Sequence, residues 1–60
     1  MYILINKKGQ YLSEYLLGEI IFSNSMHHAM TFDDDFIAIE FKNRIKKEQN
    51  IDLIVQTFIK

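Results

Sequence analysis

The side chains with most chemical potential sit together in mid-chain: adjacent His27 and His28, Met26 before them, and three consecutive carboxylates, Asp33, Asp34 and Asp35. Imidazoles and carboxylates bind metals and carry protons, so a metal centre or an acid–base pair would have to be built here. The spacing argues against one. Neighbouring histidines point to opposite faces of a strand and have no fixed relation in a loop, whereas zinc needs three or four converging ligands. Three successive aspartates also lack the spread of oxygens around a loop that calcium or magnesium requires. The plainer reading makes the histidines a solvated loop pair with at most some pH sensitivity, and the aspartates a helix cap. No metal and no cofactor is expected.

Other chemistry is thinner. The chain has no Cys for a thiolate nucleophile, only two Gly for a phosphate-cradling loop, and no Ser in a nucleophile elbow. At 60 residues it also has little means of enclosing a water-excluding pocket. No enzymatic activity and no catalytic residue is expected. The one basic concentration is Lys42, Arg44, Lys46 and Lys47, joined by Lys7 and Lys8 and flanked by Tyr11 or Tyr15 as stacking platforms. It supports an alternative reading as a small nucleic-acid-binding module. Against that reading, Lys42 and Lys46 share one side of a helix while Arg44 and Lys47 project elsewhere, and Glu40 and Glu48 dilute the patch. Eight acidic against seven basic residues give no overall attraction to phosphate.

The elements carrying these residues can be read from periodicity. Residues 2–5 form a short β-branched and aromatic run, Asn6-Lys7-Lys8-Gly9 suits a tight turn, and residues 10–17 return as a second strand. Strict alternation would put Tyr11, Ser13, Tyr15 and Leu17 on one face of it. Gly18 supplies another reversal before a third strand at 19–23, and residues 24–28 read as a loop. A helix follows. Two caps compete, Thr31 with Asp34 as a capping box or Asp33 with Phe32 stapled onto Ile37, and the second is preferred. Ile37, Ala38, Phe41 and Ile45 form its apolar stripe, with Phe32, Phe36 and Ile39 as a second flank, and Asn50 suits its left-handed end. In residues 51–60, Ile51, Leu53, Val55, Thr57 and Ile59 alternate onto the core face. The expected fold is α+β: one domain over 1–60, a mainly antiparallel sheet of three or four strands with one helix on one face, in the order β-β-β-α-β.

The composition then raises a problem of surface. A domain of this size buries only about 60% of what its unfolded chain exposes. Yet 48% of the residues are apolar and eight are Phe or Tyr. Some of that payload must face outward, and a contiguous apolar patch on a globular domain marks an interface. The sheet face away from the helix, with Ile54 and Phe58 beside either Tyr11 and Tyr15 or the alternate set of that neighbouring strand, is the expected partner-binding site, with a sheet edge as the alternative, and self-association is expected with it. Apolar runs of four to five residues fall short of the roughly 20 that span a bilayer, and no signal-peptide layout opens the chain, so a soluble cytoplasmic protein is expected.

The layout of Tyr2 to Leu12, then His28-Ala29-Met30-Thr31-Phe32-Asp33 leading into a helix with Ala38 and Phe41, then a terminal strand, resembles small accessory proteins of phages and prophages of low-GC Gram-positive bacteria. The resemblance implies a homo-oligomeric inhibitor that binds and disables a host enzyme or a defence system such as a CRISPR nuclease. It implies no particular functional residues.

Overall fold

The structure, a computed structural model, describes residues 1–59. The chain forms β1 (Tyr2–Ile5), β2 (Tyr11–Leu16), β3 (Glu19–Ser23), a short 3-10 turn (Met26–His28), α1 (Asp35–Gln49) and β4 (Ile54–Thr57). The strands make one antiparallel sheet in the order β3-β2-β1-β4, so the fold is α+β with four strands and one helix. The first turn is organised by Asn6. Its Oδ1 accepts the amides of Lys8 and Gln10 at 2.9 Å each, and its carbonyl accepts that of Gly9, which sits at φ 79° where a side chain would be strained.

Helix α1 starts one residue later than the sequence suggests. Asp34, not Asp33, is the N-cap, its carboxylate accepting the Phe36 amide at 2.9 Å. The staple fails because Phe32 is used elsewhere: its amide and carbonyl exchange 2.8 Å bonds with Tyr2, and its ring is buried in the core. Asn50 closes the helix in the left-handed conformation, φ 56°, with its amide bonded to the Lys46 carbonyl.

The core lies between α1 and one face of the sheet. Leu4, Leu12, Phe32, Ala38, Ile45 and Leu53 are buried there, with Tyr2, Tyr15, Ile20, Phe22, Phe41, Ile51 and Val55 packed around them. Of the helical stripe, Ala38, Phe41 and Ile45 face inward, while Ile37 and the expected flank residues Phe36 and Ile39 are exposed. Of the alternating C-terminal set, Leu53 is buried and Ile51 and Val55 pack around the core, while Thr57 and Ile59 are exposed. Ile3 is fully buried yet lies outside this cluster, on the opposite sheet face.

Two irregularities shape the sheet. Leu12 faces Phe22 and Glu14 faces Ile21, which leaves Ser13 as an extra residue, a β-bulge in β2. In addition β1 and β2 pair through Ile5 and Tyr11 and then part, and residues 30–32 enter the gap: the Met30 amide bonds to Leu12, and Phe32 bonds to Tyr2. The sheet is therefore two ladders, β1–β4 in unbroken register and β2–β3 with its bulge, joined at one end and bridged by a short strap at the other.

Candidate protein-binding surface

The bulge divides the expected aromatic set. Tyr11 pairs with Ile5, and the β1–β4 register puts Ile5, Ile54 and Gln56 on the face away from α1. Beyond Ser13 the parity switches, and Tyr15 turns under the helix, its ring edge-on to Phe41 with centroids 5.8 Å apart. Its hydroxyl donates to a Glu48 carboxylate oxygen. That bond, then burial and the carboxylate's charge, holds the Tyr15 phenol above its ordinary range. Tyr11 and Phe58 are half-buried and Ile54 is exposed, so three of the four expected residues remain on or beside the outer face and Tyr15 does not.

The same parity switch builds a surface that alternation conceals. Past the bulge, Glu14 faces Ile21 and Leu16 faces Glu19, all on the outer side, and the two strands close through Leu17 and Gly18. Both turn residues have positive φ, 54° and 80°, the signature of a two-residue type I′ hairpin. Asn or Gly normally fills the first of these positions; here it is a leucine, 95% exposed. Leu16 at 67% and Ile21 at 48% continue the apolar surface behind this knob, and with Glu14 and Glu19 they line a shallow concavity of about 300 Å³ beside it.

The knob is held in place from the helix. Besides the Tyr15–Glu48 bond, the Gln49 side-chain amide donates to the Gly18 carbonyl at 3.0 Å. Two successive residues of the last helical turn thus fix the hairpin tip. The missed signal was legible in one respect: Leu16-Leu17-Gly18-Glu19 between two β-patterned runs leaves Leu17 no place but the turn.

The other sequence candidates have local explanations. Ser25 caps the 3-10 turn by accepting the His27 amide, and His28 Nδ1 lies 3.2 Å from Ser23 Oγ. Among the described residues no three His, Asp or Glu side chains gather into a group able to hold a metal ion. Lys46 binds Asp52 at 2.8 Å, and Lys7 reaches the same carboxylate at 3.4 Å. These two cations, Lys46 foremost, hold the Asp52 carboxyl below the usual range. Of the basic set, Lys46 is therefore engaged, Lys42 is half-buried, and Arg44 and Lys47 stand exposed. Beside this ion cluster is a shallow cleft of about 360 Å³ lined by Asn6, Lys7, Lys8 and Asn50 among others. No described helix is long and apolar enough to cross a membrane. No protein-family model, curated protein or solved structure matches this chain.

Proposed function

We propose that the protein is a non-enzymatic protein-binding module that docks through the β2–β3 tip and acts by steric blocking. The carrying observation is Leu17. An L-residue in the left-handed region costs about 1–2 kcal/mol, and exposing a leucine there serves neither the turn nor the core. Strain at an exposed apolar tip, pinned by Tyr15–Glu48 and Gln49–Gly18, fits a preformed contact whose ordering cost is met on folding. An apolar surface flanked by basic groups is the complement of Leu16, Leu17 and Ile21 between Glu14 and Glu19.

The narrower form of this reading, supported by the resemblance to phage and prophage accessory proteins, is a phage-encoded inhibitor of a host enzyme or a defence system such as a CRISPR nuclease. It acts in the host cytoplasm. Its test is capture from a Gram-positive host lysate by the wild-type chain and by Leu17→Asn, which suits the turn but removes the knob. One protein retained by the first and lost by the second supports the site. Equal retention by both discards it. Adding the purified chain to a reconstituted CRISPR nuclease and finding unchanged cleavage removes that target class.

A further inference from the structure

The sheet has two edges, and β4 is the undefended one. Tyr2 sends both its amide and its carbonyl to Phe32, away from β4. Its β4 partner Thr57 must therefore direct its own pair outward, and Val55, two residues back, does the same. The Phe58 amide bound to the Met1 carbonyl at 2.7 Å fixes the same alternation. Natural sheets blunt such an edge with charge, proline or a bulge. Here Leu53 to Ile59 contains no charged residue and no proline, and the β1–β4 register runs without a shift.

This edge is also self-complementary. With two copies antiparallel about a two-fold axis at Gln56, Val55 of each faces Thr57 of the other, and the two pairs exchange four backbone hydrogen bonds. Ile54 then lies opposite Phe58 of the second copy on the outer face, which covers an isoleucine that is 62% exposed. The β3 edge is the defended one: it opens on a charged residue, Glu19, and adjoins the bulged strand. We infer that the protein self-associates by pairing β4 with β4 of a second copy, joining the two sheets into one of eight strands. This gives a structural form to the self-association expected from the sequence and is independent of the hairpin tip.

Two sets of variants at exposed positions test it. Gln56→Lys and Gln56→Glu each place like charges face to face at the axis, whatever their sign. Wild type should shift from one-chain to two-chain mass in sedimentation between micromolar and millimolar concentration, and both variants should stay at one-chain mass with unchanged circular dichroism. The chain has no cysteine, so Gln56→Cys reports register cleanly. Directly opposed residues of this kind lie on the order of 4.5 Å apart, within disulfide reach, whereas Ile54→Cys would be separated from its counterpart by roughly 13 Å of strand. Rapid oxidation of the first to a covalent dimer, with the second slow, is expected. One-chain mass for wild type at millimolar concentration overturns the proposal, as does a dimer indifferent to both charges or cross-linking no faster at 56 than at 54. Undiminished lysate capture by Leu17→Asn beside an intact dimer means that the tip reading alone fails, whereas loss of capture with a wild type that stays at one-chain mass means that the pairing alone fails.

Discussion

The β1–β4 ladder and the β2–β3 hairpin are built from similar amounts of apolar residue and divide it differently between core and surface. In the first, four consecutive pairs run in register, Leu4 is buried beneath α1, and Ile3 is buried on the other side. In the second, a bulge shifts the register, the turn holds a leucine at positive φ, and Leu16, Leu17 and Ile21 are exposed. Regular pairing builds the interior, and irregular pairing re-aims side chains toward solvent. A chain this short has one core to spend on stability, and its most exposed apolar residue, Leu17, falls where regularity is given up.

The largest effect expected from breaking this contrast is on the core side. Ile45→Ala removes a fully buried side chain at about 2–5 kcal/mol. A 60-residue domain holds roughly 3–9 kcal/mol in all. The variant should lose its cooperative thermal transition, and a shift of only a few degrees would mean that Ile45 is not central. On the hairpin side, Leu17→Asn should instead raise stability by up to about 1 kcal/mol, since Asn tolerates the left-handed conformation. A lower midpoint in denaturant would show that Leu17 contributes to the fold.

Tyr15→Phe should have a smaller effect, keeping the edge-on contact with Phe41 and losing the bond to Glu48. Because the folded protein holds this phenol above its ordinary range, the bond stabilises fully at lower pH and is lost as pH rises through the raised value. Melting curves of the variant should therefore be flatter than wild type in the alkaline range. Asp52→Asn should have the least effect. Its carboxyl titrates below the usual range, so its contribution is present above that range and disappears as pH falls through the depressed value. The variant should flatten the acid limb of the melting profile, and added salt should reduce the difference because the ion cluster is half-exposed. An unchanged acid limb would leave Asp52 without a stabilising role.

Local signals in the sequence located the elements well. Gly9, Asn50 and Asp34 each answer a specific backbone need, and the structure uses them at or within one residue of where the local pattern puts them. The misplacements share one cause: a neighbour in space claims a residue that the local pattern assigns elsewhere. Phe32 cannot staple the helix because β1 takes its backbone and the core takes its ring. Tyr15 cannot share a face with Tyr11 because Ser13 is an unpaired step, and no sequence period reports an extra residue in one strand of a pair. The helix flank of Phe36 and Ile39 is exposed for a simpler reason: one narrow sheet covers one stripe of a helix, and Ala38, Phe41 and Ile45 occupy it.

The strand order has a bearing on strength of attachment. Because β3 and β4 are the two outermost strands, a pair of chains joined along β4 would carry its two leucine tips on the hairpins farthest from the axis. Such a pair would be a bivalent ligand. On a target with two equivalent sites at the matching span, the second attachment is intramolecular and the residence time multiplies, whereas a target with one site gains nothing from the pairing.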